Sequence, residues 1–578
     1  MSNIIEIQQF LVGKRFVIPH YQRDYAWSLK QVEDLIDDVS EAVTSGSTHY
    51  LGTVVLARND IGPYEVVDGQ QRLSTLAVII QALLLQLPQD DDQRIADTAV
   101  LLKHGSELKL HFGNNAEFAS LLLSENQPEP ETAGQRKLQA AFEYACERAR
   151  ALAEGGGVDL VREWINTIKV LEIIEFVATN TGRAIRMFQT VNDRGLPLSA
   201  MDKAKALLVY YSNRYLDGEL DIMVNESIGR CFAAFDDVRE HVKKGAMKID
   251  NVARDAFSED DMLRYHYLSY KYPGIEEGGD WDGTISTVFH RFLKGTLKSF
   301  SSDSGAIREF IIDYCSDLAD FCESFRELVL LTETNTRLYK YFVVLGVSAR
   351  LYPLTVRLMQ RNILFSVPEG ESVDLLQLLE ICDVRVYKTR GTDPAKGIGM
   401  LSHESRDATV DELRRGLREF TARFMPDGYF YTMLHQNVYH NQALPFIMLE
   451  FDESCAKREY TVDELRDLIE QQITREHILS QTPNFDVTTY NFEGVDDFEL
   501  HKDFLGNFTP LTKSENARCS NSNVHTKMTD HTMYSASRYA STRMLAQEYR
   551  VNEPRFRKNE LIIRTERMAS WIINRWSL

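Results

Sequence analysis

The chain has few cysteines, no paired-cysteine motif and no long apolar run. Its seven cysteines are Cys146, Cys231, Cys315, Cys322, Cys382, Cys455 and Cys519. None forms a CxxC pair. An odd, scattered set argues against a disulfide framework and against a zinc site built from cysteine pairs, so reduced and mostly buried thiols are expected. The longest apolar run, near Leu76–Leu87, is interrupted by Gln81 and Gln86. It is too short and too polar to span a bilayer. The opening MSNIIEIQQF has no basic stretch followed by an apolar one, so no signal peptide is read and a cytoplasmic location is expected. No G-x-x-x-x-G-K-[ST] occurs, which excludes a P-loop NTPase. No repeat of fixed period is seen.

What is present is ordinary for a soluble globular protein: 44% hydrophobic and 26% charged residues in 578. That length corresponds to roughly three to four domains. The net charge of −20 argues against general coating of nucleic acid. The charge is uneven, however. Residues 501–578 hold 13 Lys+Arg against 7 Asp+Glu, a net +6 that leaves −26 for the rest. A basic C-terminal segment on an acidic body suits a local polyanion site.

The first 90 residues read as mixed α/β. A helix is expected over Gln31–Val43, with Val32, Leu35, Ile36 and Val39 on one face. HYLGTVVLA and YEVVDG read as strands, and a long helix starts after Gly69. Residues 88–135 are polar and acidic and read as an excursion or loop. Gly155–Gly157 reads as a break. KVLEIIEFVA is strand-like, and a helix is expected through Ala184–Val191. Residues 216–425 are helical by period. From Glu450 the pattern changes to a helix, a loop rich in Asn, Asp and Phe, and helices ending in WIINRW.

Four motifs could carry chemistry. In VVDGQQRLSTL, Asp68 ends a strand, Gly69 permits a tight turn, and Gln70, Gln71 and Arg72 occupy a helix first turn, where N–H groups point outward. Arg72 suits phosphate. The same residues also read as an ordinary strand–turn–helix junction. In IPHYQRDYAW, Tyr21, Gln22 and Arg23 read either as phosphate or base contacts or as a structural aromatic cluster. In FQTVNDRGLPLSAMDKAK, Asn192, Asp193 and Gly195 make a turn. Ser199 there caps a helix with Asp202 in its first turn.

The fourth motif pairs Glu476–His477 with Asn507, 30 positions on, and Asn516, nine further. This is the order and spacing of an HNH, or ββα-metal, nuclease. That chemistry needs a histidine to activate water, an asparagine to orient it, and O/N ligands that hold a divalent ion at the scissile phosphate.

Together, IPHYQRDYAW, LGTVVL, VVDGQQRLSTL and FQTVNDRGLPLS resemble the ParB-like DGQQR domain of GmrSD-type restriction proteins. EHILSQ, GNFTPLTKSENARCSNSNVHTK and ERMASWIINRW resemble the HNH domain of the same family. Arg385 in ICDVRVY adds a point of similarity. The resemblance implies an α+β multidomain chain. Residues 1–215 would be a ParB-like α/β nucleotide-binding domain, 216–425 a mainly helical middle, and 426–578 an HNH endonuclease domain packed with helices.

It further implies a type IV-like restriction enzyme acting on modified double-stranded DNA. The modification would be glucosylated or hydroxymethylated cytosine or, in a related branch, phosphorothioate. Nucleotide (GTP, ATP or CTP) would bind at Asp68, Gly69, Gln70, Gln71 and Arg72, with Tyr21, Gln22 and Arg23 nearby. His477 would be the general base and Asn507 would orient it. Glu476 and Asn516 would hold Mg²⁺ or Mn²⁺, since carboxylate and carboxamide oxygens are hard ligands. Lys527 would contact phosphate. Two departures stand out: Ser480 replaces the family's usual proline after HIL, and Ser74 replaces a threonine-like residue. No membrane association is expected, and a homodimer would help double-strand cutting. The other classes are a nucleotide-driven sensor or regulator with weak or no cleavage, and a toxin-like RNase.

Overall fold

The computed structural model describes residues 2–578 apart from 20–21, 47–48, 59–61, 125, 127, 179–198, 245–248, 250, 273–282, 484 and 552–555. The architecture is multidomain α+β. The chain groups into two units. The first holds Met1–Glu240, Ser258–Leu263 and Ile285–Glu323, and the second holds His241–Phe257, Arg264–Thr284 and Ser324–Leu578. The helical middle is thus shared between them. No helix among the described residues is long and apolar enough to cross a membrane.

The first unit is built on a mixed six-stranded sheet. Its strands are β1 (Ser2–Glu6), β2 (Phe16–Val17), β3 (Tyr50–Ala57), β4 (Tyr64–Asp68), β7 (Leu110–His111) and β8 (Glu172–Ala178). A separate small hairpin is formed by β5 (Lys103–His104) and β6 (Glu107–Leu108). The sheet order is β1-β8-β3-β4-β2-β7. β4 runs antiparallel to β3, with Asp68 opposite Val55, and parallel to β2.

The Leu29–Ser45 helix starts at a Ser28–Gln31 capping box. It buries Val32, Leu35, Ile36, Val39 and Ala42, the 3–4 spacing of a single apolar face. The Gln70–Leu84 helix is buried on nearly every side, its polar first turn included. Residues 88–135 are not one loop. They form helices at Asp92–Asp97 and Ala116–Leu122, the small hairpin and the edge strand β7. A backbone break at Gly157 divides the helical stretch Ala133–Val170. The expected Ala184–Val191 helix lies outside the described residues.

The second unit is mostly helical around one strand–strand–helix element. β9 (Ile473–His477) and β10 (Phe508–Thr512) pair antiparallel, with His477 opposite Phe508 and Glu476 opposite Thr509. The Lys513–Cys519 helix follows, capped by Thr512 and Glu515. Ile478, Leu479, Phe498, Leu511, Val524 and Met528 form part of the core beneath it. The C-terminal Lys558–Arg575 helix is tied into this unit by buried charges. Arg575 meets Glu450 at 2.8 Å and Glu380 at 3.1 Å, and Lys340 meets Glu450 at 2.8 Å. Arg385, fully buried, donates to the Trp576 carbonyl at 3.2 Å and the Met425 carbonyl at 2.6 Å. Its part is structural. All seven cysteines are free thiols, five of them buried.

Candidate functional sites in the two units

In the first unit, β4 ends at Asp68 and the Gln70–Leu84 helix begins two residues later. Gly69 turns the chain at φ 92°. A side chain there would sit 3.0 Å from Val54 Cγ2 and 3.3 Å from the Thr53 carbonyl, so only glycine fits the turn.

The motif's side chains divide by task. Gln71 is fully used: its Oε1 accepts from the Ala26 N–H at 2.8 Å and its Nε2 donates to the Asp24 carbonyl at 3.0 Å. It clamps the 24–27 segment onto the helix. Gln22 donates to the Val67 carbonyl at 3.2 Å. Arg72 donates to the Thr53 carbonyl at 3.0 Å. Gln70 is 8% exposed, and its buried Oε1 has no partner among the described residues.

Burial pushes the Asp68 carboxyl up to about 6, against the Gly69 N–H and the Arg72 charge. Asp202 and Arg23 also act on it. Burial pulls the Lys205 ammonium down to about 8, with Asp202 opposing. Ser199 accepts from the Asp202 N–H at 3.1 Å and so caps the Ala200–Leu216 helix. Asp68, Arg72, Arg23, Asp202 and Lys205 therefore share one electrostatic neighbourhood. Tyr21 lies outside the described residues, as do Asn192, Asp193 and Gly195.

In the second unit, β9 delivers Glu476 and His477. Successive strand residues send their side chains to opposite faces, and their partners differ accordingly. The His477 ring packs 4.6 Å from Phe508 and 5.6 Å from Tyr439, and its Nε2 lies 2.9 Å from Asp503 Oδ1. Burial holds the imidazole below its usual range, with Asp503 opposing. A neutral ring with Nε2–H given to Asp503 carries its lone pair on Nδ1.

The Glu476 carboxylate meets the Lys527 ammonium at 2.7 Å and the Tyr534 hydroxyl at 3.1 Å. Asn507 is fully buried. Its Oδ1 accepts from the Leu479 N–H at 2.8 Å, and its Nδ2 donates to the Leu479 and Lys502 carbonyls at 3.0 and 2.7 Å. Asn516 donates to Thr474 Oγ1 at 3.1 Å.

Two family models match the chain: GmrSD restriction endonuclease, N-terminal domain, over residues 7–209, and GmrSD restriction endonucleases, C-terminal domain, over 434–571. The chain belongs to the GmrSD restriction endonuclease family. No curated protein matches it. Membership makes it a restriction nuclease, and it places the DGQQR turn and the β9–β10 element in the two matched regions.

Several residues of this GmrSD chain hold posts other than those expected. Lys527, expected at a phosphate, is 1% exposed, and its ammonium also donates to the His477 carbonyl at 2.7 Å. The hydrogen bonds of the Asn507 amide go to Leu479, two residues past the histidine, and to Lys502, whereas Asp503 holds the ring. No sequence pattern marks Asp503, which lies 26 residues from His477. Ser480 is buried, with its hydroxyl donating to the Ser522 carbonyl at 3.3 Å.

Of the two residues expected to hold a metal, Glu476 is paired with Lys527 and Asn516 donates to Thr474. Among the described residues no three His, Cys, Asp or Glu side chains converge. Glu476 is already neutralised by a buried ammonium.

Proposed function

We propose that this restriction nuclease cuts modified double-stranded DNA with His477 as its general base, under control of a nucleotide held at the Asp68–Arg72 turn. The observation that carries the reading is the buried His477–Asp503 pair, which leaves Nδ1 as the basic nitrogen. In the step assigned to it, Nδ1 takes a proton from water and the water oxygen attacks phosphorus. The P–O3′ bond breaks, the leaving oxygen is protonated from solvent, and the imidazolium returns its proton to solvent. No step is assigned to a metal ion. Dependence on Mg²⁺ or Mn²⁺ is a variable of the assay.

The nucleotide site is proposed from Gln70, whose carbonyl oxygen lacks a partner, from Arg72, and from the helix N-terminus beside them. Arg23 belongs with them, since its charge acts on Asp68 and Lys205. The second reading is a nucleotide-driven sensor with weak or no cleavage. The occupied Glu476 carboxylate favours it.

The test compares unmodified, hydroxymethylated, glucosylated and phosphorothioate DNA. Each is assayed with Mg²⁺, Mn²⁺ or chelator, and with or without GTP, ATP or CTP, for the wild type, His477→Ala and Arg72→Ala. Cleavage that requires a modification and vanishes in His477→Ala supports the nuclease reading. NTP turnover that depends on Arg72, without cleavage of any DNA, leaves the sensor.

A further inference from the structure

We propose that Asp503 is the positioning residue for His477, selecting its tautomer, and that the Asn437–Tyr439 segment sets the polarity of Asp503 from outside the β9–β10 pair. The proposal rests on the reading of His477 as general base.

Asp503 is tied at three points. Its Oδ1 takes His477 Nε2 at 2.9 Å. Its Oδ2 accepts from Asn437 Nδ2 at 3.1 Å. Its carbonyl accepts from the Val438 N–H at 3.0 Å. The side chains of His477 and Asp503 are 9% and 10% exposed, so water does not compete freely for these bonds. The orientation of the Asn437 amide is itself determined. Its Oδ1 accepts the Tyr439 N–H at 2.9 Å, which commits Nδ2 to Asp503. Tyr439 then lies against the imidazole, and Arg475 holds the Tyr439 carbonyl while standing 4.9 Å over its ring.

The consequence concerns protons. A carboxylate at 503 accepts on both sides, from Asn437 and from Nε2–H, and so leaves the lone pair on Nδ1. When Nδ1 takes a proton, the new positive charge stands beside the Asp503 side chain, 2.9 Å from Nε2, the role known for the aspartate of a catalytic triad. An amide at 503 cannot do both. Its oxygen must face the Asn437 NH₂, so its own NH₂ faces His477. That arrangement demands a lone pair on Nε2 and moves the proton to Nδ1, the wrong tautomer for the base. Exchanging the pair reverses the polarity. An aspartate at 437 still accepts the Tyr439 N–H and now also accepts the amide NH₂ of residue 503, which returns the amide oxygen to Nε2–H.

The experiment uses the full chain. Cleavage of plasmid DNA, unmodified and carrying glucosylated hydroxymethylcytosine, is followed for the wild type, His477→Ala, Asp503→Asn, Asn437→Asp and the Asn437→Asp/Asp503→Asn double variant. Folding is checked by thermal melting. Asp503→Asn should lower kcat by roughly 10²–10⁴-fold with little change in KM. The double variant should recover at least about tenfold of that loss, as a stabilising role alone would not. In parallel, ¹⁵N shifts of ring-labelled histidine, assigned against His477→Ala, should show Nδ1 unprotonated in the wild type.

An unprotonated Nε2 in the wild type overturns the proposal whether or not any variant folds. So does Asp503→Asn cutting within threefold of wild type while His477→Ala is inactive, or a double variant no better than Asp503→Asn. Full cleavage by His477→Ala instead removes the general-base reading on which the proposal rests.

Discussion

Asn507 separates the two accounts of the nuclease element most directly. By resemblance it orients His477; in the structure it joins the strand exit at Leu479 to the turn at Lys502. Asn507→Ala would orphan two buried backbone groups, the Leu479 N–H and the Leu479 carbonyl, and the part-buried Lys502 carbonyl. Each orphaned group costs about 1–3 kcal/mol, with N–H groups less forgiving than carbonyls. Asn507 is fully buried, so solvent repairs little, and a loss of roughly 3–5 kcal/mol is expected. Asn507→Asp should be at least as damaging. It keeps the acceptor for Leu479 N–H but turns a buried carboxylate toward two carbonyls.

The assay for Asn507 is urea unfolding of the full chain, read as the shift of the second unit's transition. Hydrogen exchange at Leu479 reports the local opening. Wild-type stability together with unchanged Leu479 exchange and a hundredfold loss of cleavage would refute this reasoning. Asn507 would then act on the imidazole after all.

Three further outcomes are expected. Lys527→Met strands the Glu476 carboxylate in the interior and should destabilise the second unit by about 3–5 kcal/mol, with Glu476→Gln restoring part of it. A phosphate contact would instead leave melting unchanged and flatten the salt dependence of DNA binding. Asp68, held at about 6, lies above its ordinary ~3.9. Its burden on stability is therefore absent below about pH 4, grows between about pH 4 and 6, and is full above that. Asp68→Asn should accordingly melt higher than wild type at pH 8 and equally at pH 4; equal melting at both refutes the assignment. Gly52 sits at φ 111°, and a Cβ there would lie 2.7 Å from the Arg72 guanidinium carbon. Gly52→Ala should cost about 1–3 kcal/mol and weaken nucleotide binding by expelling Arg72 from the Thr53 carbonyl. Binding of a fluorescent nucleotide analogue at wild-type affinity would contradict that.

Periodicity carried much of the fold. The Leu29–Ser45 and Gln70–Leu84 helices and strands β3, β4 and β8 were legible because each is long enough to repeat its apolar spacing. Residues 88–135 were not, because their elements are short. β7 is two residues and exists through its pairing with β2, a long-range event with no local signature. The two-unit grouping was equally hidden, since helices of residues 216–425 look alike in sequence whichever unit they pack into. At the site, His477 was legible through its spacing to Asn507 and Asn516. Asp503 was not, because an aspartate before FLGNF has no pattern until the fold brings it to the imidazole.

Motif membership and chemical role come apart in a consistent way. In DGQQR, adjacent glutamines split: Gln71 has both ends of its amide consumed by backbone, while Gln70 keeps a buried oxygen open. In EHIL, adjacent residues split again, with Glu476 turned to Lys527 and His477 turned to Asp503. Strand alternation makes the second division unavoidable, and the crowded helix start enforces the first. A site that needs one precisely aimed group needs a neighbour to hold the backbone that aims it, and the nearest neighbour in sequence is the shortest route to that support. Such supporting residues are as intolerant of change as the reacting ones. Variants at them should therefore fail by melting, whereas variants at His477 and Gln70 should fail while folded, and paired melting and activity measurements on the two members of each motif distinguish these modes.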